Sequence, residues 1–324
     1  MTRDIVIWTI GNRMTASTRL RIHQYLPRLA ADGIHPTVRE IPKGLLTRWL
    51  LRRSLPEGSL LLIQKKLLSE WELSMIRKKK SKILYDVDDA VFLDREGSTR
   101  NRDRFRNVTR IADRVIAGNE TLARAAARPE RVVLLPTPVD TDVIKPPHPA
   151  PREPGLAVWI GSRTNLPNLD IILPVFGRIH AANPRSRLLV LADLAPRSMP
   201  DGVEFVSWSL NTERWALGKA MVGIMPLEDT VFNQGKCGFK ILLYQAAGLA
   251  VVASPVGVNT ELLRHGEDGY LARSEPEWEA SLQKLLGSPE TARRYGDAGR
   301  KRVVQTHSIQ MLYPRFRDTL LESF

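Results

Sequence analysis

The sequence predicts an α/β protein made of two doubly wound parallel-sheet halves. Three observations carry this. The chain has 324 residues, enough for two domains at roughly 100–200 residues each. Short apolar runs alternate with longer amphipathic stretches, the rhythm of strands followed by crossover helices. Seven of the 22 prolines, Pro136, Pro138, Pro146, Pro147, Pro149, Pro151 and Pro154, crowd into residues 136–155. Proline breaks helices and cannot donate to a sheet ladder, so this stretch reads as a linker between two domains.

The elements follow in order. In the first half the apolar runs predict strands near 4–10, 35–41, 59–63, 82–86, 114–117 and 131–135. Helices are predicted near 18–32, 68–80, 100–112 and 119–127. Ser69 followed by Glu72 is a capping-box signature for the second of these helices. The second half repeats the pattern, with strands at 156–160, 187–192, 203–206, 220–225, 249–253 and 269–272. Its helices fall near 167–181, 211–218, 237–247, 258–264, 275–287, 289–305 and 308–322. Ser274 with Glu277, and Ser288 before Pro289, mark two helix starts.

Composition narrows the class. Hydrophobic residues make up 43% and charged residues 26%, too apolar for a disordered chain. Apolar runs stop at four or five residues, as in Leu60–Ile63, far short of the ~20 of a membrane span. The N-terminus runs straight into a strand-like segment with no secretory h-region. The single cysteine, Cys237, cannot make an internal disulfide or a cysteine metal cage. A cytoplasmic protein is expected. The net charge is +13 and lies mostly in the first half, where residues 1–150 hold 28 basic and 17 acidic residues against 20 and 18 in the rest. That half is expected to face something anionic.

Turn residues cluster after the strands, where open α/β sheets bind ligands. They include Gly11-Asn12-Arg13, Asp86-Val87-Asp88-Asp89, Gly118-Asn119-Glu120, Gly161-Ser162-Arg163, Pro226–Asp229 and Ser254–Gly257. The sharpest is Gly235-Lys236-Cys237-Gly238-Phe239-Lys240, which opens a helix. Lys236 and Lys240, four apart, are expected on one face of its first turn. Cations are unfavourable there, so an anion such as a diphosphate is the reading, against two merely solvated lysines. Val258 and Asn259 open a second such helix after Gly257. Glu261 either accepts sugar hydroxyls or simply suits a helix first turn. Asp86, Asp88 and Asp89 fit a divalent metal, a tight acidic turn or hydroxyl-orienting carboxylates; a role without metal is preferred. Cys237 is either a thiol activated by the lysines or a small packed residue, and the latter is preferred.

The six histidines show no metal spacing, and no Gly-x-Gly-x-x-Gly, Walker loop or nucleophile elbow is present. Dehydrogenase, NTPase and hydrolase readings lose ground accordingly. Residues 43–82 carry 11 basic and three acidic residues, with Leu45, Leu46, Trp49, Leu50 and Leu51 set among Lys43, Arg48, Arg52 and Arg53. This suits an interfacial amphipathic helix on an anionic membrane surface, or equally a solvated helix face over a core. Nucleic acid is disfavoured, since aromatics are only 6% and no recognition motif is found.

The run from Gly235 to Glu261, followed by His265-Gly-Glu-Asp-Gly-Tyr-Leu271, resembles the GT-B-fold glycosyltransferases of family 4. These are retaining enzymes that use nucleotide sugars. Trp159-Ile-Gly-Ser162, Ile224-Met-Pro-Leu227, Asp86-Val-Asp-Asp-Ala90, Val115–Asn119, Pro136–Asp140 and Thr15-Ala-Ser-Thr-Arg19 with Arg21 support it. The resemblance implies a GT-B architecture, two Rossmann-like domains facing a central cleft. The implied layout is an acceptor domain at 1–145, a linker at 146–155 and a nucleotide-sugar domain at 156–305. A C-terminal helix at 306–324 would pack back on the first domain.

By position, the resemblance places Gly161, Ser162, Lys236 and Lys240 at the diphosphate of a UDP- or GDP-sugar. Val258 and Asn259 would approach by their backbone, and Glu228 and Asp229 would lie near the transferred sugar. Gly11, Arg19, Asp88, Asp89 and Asn119 would lie on the side of a glycan or lipid-linked acceptor. Lys236 and Lys240, with Asp88 and Asp89, are the implied catalytic set. Much of the family has two glutamates separated by seven residues; here Gly235 and Leu243 stand in their places. An inactive binding protein on this fold, a nucleotide-sugar epimerase and a nucleic-acid binder are the alternatives.

Overall fold

The computed structural model describes residues 4–93, 99–146 and 152–323. Three prolines of the expected linker, Pro147, Pro149 and Pro151, lie outside the described residues. The chain divides into two compact units. The first takes residues 1–138, 235–237 and 309–324; the second takes 139–234 and 238–308.

The first unit opens with β1 (Ile5–Thr9), α1 (Ala16–Arg21), α2 (Leu26–Ala31), β2 (Thr37–Glu40) and α3 (Leu45–Arg53). It continues with β3 (Leu60–Gln64), α4 (Glu70–Lys78), β4 (Lys82–Val87), α5 (Arg100–Ile111), β5 (Arg114–Ala117), α6 (Glu120–Ala125) and β6 (Val132–Leu134). The strands form one sheet in the order β2-β1-β3-β4-β5-β6, all parallel. Its central strands are buried on both faces, which is why they read as unbroken apolar runs.

The helix expected over 18–32 is not continuous. A 3-10 turn at His23–Tyr25 separates α1 from α2. Pro27 is the physical reason, since it has no N–H for the carbonyl one turn back. The capping box of α4 forms as expected, with Ser69 and Glu72 exchanging backbone hydrogen bonds.

The second unit contains β7 (Leu156–Ile160), α7 (Leu173–Ala182), β8 (Arg187–Ala192), β9 (Val203–Ser207), α8 (Leu210–Lys219) and β10 (Val222–Met225). Then come α9 (Val231–Gln234), α10 (Phe239–Ala246), β11 (Ala250–Ala253), α11 (Asn259–Leu262), β12 (Gly269–Leu271), α12 (Glu275–Gly287) and α13 (Pro289–Thr306). This sheet is also parallel, in the order β12-β11-β10-β7-β8-β9. Apolar clusters cover both its faces. The helix expected over 167–181 begins instead as a 3-10 stretch, Arg163–Ile171, with Pro167 inside it. Arginine forks secure the segments on either side of the undescribed prolines. Arg152 Nη1 donates to the Leu217 and Ala220 carbonyls, and Arg300 to those of Thr141 and Ile144.

The last helix, α14 (Ile309–Leu321), belongs to the first unit. Phe316 stacks on Tyr25 with ring centroids 4.1 Å apart, and Tyr313 donates its hydroxyl to Asp32 at 2.7 Å. Ile309, Phe316 and Leu320 join the cluster that covers one face of the first sheet.

Candidate functional site

Each sheet has a point where the winding reverses, and ligands bind beyond the carboxyl ends of the strands there. In the first unit this lies between β1 and β3, and in the second between β7 and β10. Of the residues singled out from sequence, Gly11 follows β1, and Gly161, Ser162, Glu228 and Asp229 follow β7 and β10; Asp88 and Asp89 follow β4, Asn119 follows β5, and Val258, Asn259 and Glu261 follow β11.

In the first unit the strand ends hold a dense ionic network. Arg21, on α1, is 1% exposed and forks onto Asp86, which is also 1% exposed. Its other nitrogen donates to the Leu135 carbonyl at 2.7 Å. Burial lifts the Asp86 carboxyl above its ordinary value, and the Arg21 guanidinium opposes this. Asp86 is therefore neither a turn cap nor an open metal ligand but half of a buried ion pair. Lys65, immediately after β3, has a positive φ of 56°. Its ammonium lies 3.1 Å from Asp88 Oδ1 and 3.2 Å from Asp89 Oδ2, the place a cation would take. Ser17 donates to Asp88 Oδ2 at 2.6 Å. Burial would raise the Asp88 carboxyl, but Lys65, Arg21 and the hydrogen bonds from Ser17 and Lys65 hold it below the ordinary value. Asp88 is thus an ionised, oriented acceptor.

Gly11 is buried after β1, its carbonyl taken by the Thr9 hydroxyl at 2.9 Å. Arg19 is half-buried in the last turn of α1. Asn119 spends its side chain on the protein itself. Its Oδ1 caps α6 at Leu122, and its Nδ2 donates to the Gly235 and Lys236 carbonyls at 3.0 and 3.1 Å. It is a tether for the 235–237 segment rather than an open ligand contact. Burial, with Asp88 nearby, pushes the Cys237 thiol well up, so the thiol is not activated by the lysines.

The expectation that Lys236 and Lys240 share a helix face is corrected. The helix α10 begins only at Phe239, and Gly238 before it is left-handed, with φ of 63°. Lys236 precedes that turn, so the argument from the positive helix end applies to Lys240 alone. The Lys240 ammonium sits 4.5 Å from the centroid of the Trp159 ring. Trp159 lies one residue before the end of β7, and Tyr244 of α10 accepts from the Ile160 N–H at 2.9 Å. The helix and the strand end are thereby locked together.

Gly161 and Ser162 follow β7. The Ser162 hydroxyl contacts Thr164 Oγ1 and accepts from Asn165 Nδ2 at 3.0 Å. After β10, Glu228 and Asp229 are exposed. Asn168 Oδ1 accepts from the Glu228 N–H at 3.1 Å, and Asp229 accepts from Gln234 Nε2 at 2.9 Å. Val258 and Asn259 are buried at the start of α11. The Asn259 N–H already bonds to the Val256 carbonyl and its side chain to that of Ser254, so it has no backbone donor left for an anion. Glu261 is exposed in the same short helix. Leu243, where the resemblance implies a glutamate, is 5% exposed within the core. The sequence named Arg21, Ser17 and Trp159 only as members of motifs and Lys65 only within the basic segment; it did not pair Arg21 with Asp86, Lys65 and Ser17 with Asp88, or Trp159 with Lys240.

The basic segment divides its residues. Glu72 pairs with Arg48 and Arg52. Leu46, Leu50 and Trp71 face solvent at 70%, 51% and 59% exposure. The guanidinium of Arg53 lies over Trp49 and that of Arg52 over Trp71. The side chain of Leu45 lies outside the described residues. Among the described residues no helix is long and apolar enough to cross a membrane.

Residues 155–288 match the protein-family model described as Glycosyl transferases group 1. A D-inositol 3-phosphate glycosyltransferase of Segniliparus rotundus is 25% identical over 238 residues, 66% of this chain and 52% of that protein. The chain thus spans about half the length of the curated relative it matches. Among solved structures, sucrose-phosphate synthase from Thermosynechococcus elongatus superposes with a TM-score of 0.78 at 16% identity, covering 99% of each chain. HepE from Anabaena, solved with UDP and glucose, gives 0.77 at 12% identity, covering 98% of this chain and 99% of that one. Those two likenesses show the fold.

Proposed function

We propose, on the premise that this is a GT-B-fold chain related to the group 1 glycosyltransferases, that it transfers a sugar from a nucleotide-diphosphate sugar to an acceptor. One observation carries the reading most directly. At the strand reversal of the second unit, a lysine ammonium is held at the start of α10 beside the β7 end. Breaking the bond between the anomeric carbon and the diphosphate leaves charge on the phosphate, and a fixed cation there stabilises the transition state. In this reading Lys240 supplies that cation. Gly161, Ser162, Asp229, Val258 and Glu261 line the donor. The donor is a UDP- or GDP-sugar; HepE was solved with UDP and glucose.

Transfer proceeds with retention. The acceptor oxygen attacks the face that the leaving phosphate vacates, and that phosphate takes the acceptor proton. Gly11, Arg19, Asp88 and Asp89 line the acceptor side, with Asp88 ionised to accept from a hydroxyl. The acceptor is a cell-envelope glycan or a lipid-linked sugar. The protein works in the cytoplasm, peripheral to the inner face of the membrane. Residues 43–82 provide the contact, through the exposed Leu46, Leu50 and Trp71 and their arginine neighbours.

Release of UDP or GDP from its sugar conjugates, in the presence of a lipid extract, tests turnover. Lys240→Ala should lower the rate about a hundredfold or more while leaving the circular dichroism unchanged; an unimpaired variant would remove the assignment. Co-sedimentation with phosphatidylglycerol vesicles but not with phosphatidylcholine, lost in the Leu46→Glu/Leu50→Glu variant, tests the membrane contact. Equal recovery from both lipids would contradict it. A binding protein without turnover is the second reading, favoured by the buried Leu243 at the position where the family resemblance implies a glutamate. Nucleotide binding without release of product from any sugar conjugate would support it.

A further inference from the structure

We infer that Trp159 is a positioning residue whose indole face seats the Lys240 ammonium for the donor diphosphate, and that Gly161 is a glycine because the indole needs the space. The inference rests on the donor reading above and adds to it a residue that touches no substrate.

Four observations meet here. Trp159 is fully buried, and the ammonium lies 4.5 Å from its ring centroid. Tryptophan is the strongest of the aromatic side chains in attracting a cation. Lys240 is the second residue of α10, where the positive end of the helix disfavours a cation. The ring face offsets that penalty and fixes where the charge sits before any ligand arrives. A cation already in place loses less freedom on binding a diphosphate.

The glycine gives the third observation. A Cβ at Gly161 would fall 2.3, 2.6 and 2.9 Å from three atoms of the six-membered ring of Trp159. Real side chains do not approach so closely. The glycine after β7 is therefore demanded by the indole, whatever else it contacts. The fourth observation concerns cost. Among the described residues the buried indole Nε1–H has no hydrogen-bond partner, a penalty that phenylalanine would not carry. A core position that tolerates this penalty keeps the larger ring for its face, and the group over that face is Lys240.

Calorimetric titration with UDP and GDP, alongside uridine and guanosine, tests the inference. Trp159→Leu should weaken binding of the diphosphate by roughly three- to thirtyfold, and Trp159→Phe by less. Affinity for the matching nucleoside, which has no phosphate, should not move. In a Lys240→Met background, Trp159→Leu should cause no further loss, since its effect passes through the ammonium. Unchanged diphosphate affinity would overturn the inference. So would an equal loss for nucleoside and diphosphate, or losses that add to those of Lys240→Met. If the leucine variant does not fold, Trp159→Phe measured with and without Lys240→Met reads the same coupling. Failure of the unmodified protein to bind either diphosphate would remove the donor reading, and this inference with it. Binding that is indifferent to Trp159 would remove this inference alone.

Discussion

At the scale of single residues, the first unit is organised by charges that sequence inspection could name but not pair. Asp86 stood out in an acidic turn, yet its partner Arg21 is 65 positions away. Lys65 was one basic residue among eleven, and only the folded chain shows it between Asp88 and Asp89. Such pairings depend on which strand ends become neighbours, and local pattern does not carry that information. Both members of the Arg21–Asp86 pair are buried, so removing one leaves an uncompensated charge. Arg21→Met should destabilise the protein by about 3–5 kcal/mol in urea denaturation. The double variant Arg21→Met/Asp86→Leu should cost clearly less than the two single changes together. Additive losses would show that the pair is not coupled.

At the scale of elements, legibility followed burial. The central strands are apolar on both faces, and the predicted spans match the observed ones to within a residue or two, as for Leu156–Ile160 and Arg187–Ala192. Capping signals placed helix starts equally well at Ser69, Ser274 and Ser288. Helix continuity was misread where a proline or a left-handed glycine intervenes, at Pro27, Pro167 and Gly238. The last of these errors mattered most, because it had put Lys236 and Lys240 on one face. The junction of α13 and α14 carries a prediction at this scale. His307 is lowered to about 4 by burial, with Arg302 adding to the effect. The unfolded chain then binds more protons than the folded one between about pH 4 and the ordinary histidine value near 6.5. Its contribution is complete above pH 6.5 and is lost as the pH falls toward 4. His307→Gln removes that term, so the stability advantage of the unmodified protein should shrink by about 3 kcal/mol between pH 7 and pH 4. A difference that stays constant over this range would contradict the burial of a neutral imidazole.

At the scale of the whole molecule, the two sheets reverse their winding at different places in their strand order. The second unit does so between β7 and β10, the strands that Gly161 and Glu228–Asp229 follow. That unit also contains nearly all of the region matched to the group 1 glycosyltransferases. The fold was therefore legible from apolar rhythm and proline punctuation. The residues proposed for the donor stood mostly in one long motif, and those proposed for the acceptor came from shorter matches to the same family together with the charge of the first half. The central claim is that the second unit binds a nucleotide diphosphate through Lys240. Calorimetric titration of the unmodified protein and of Lys240→Ala with UDP, GDP and their sugar conjugates tests it most directly. The account predicts micromolar binding of one nucleotide family, lost in the variant. Binding of neither nucleotide, or binding that Lys240→Ala leaves untouched, would contradict it.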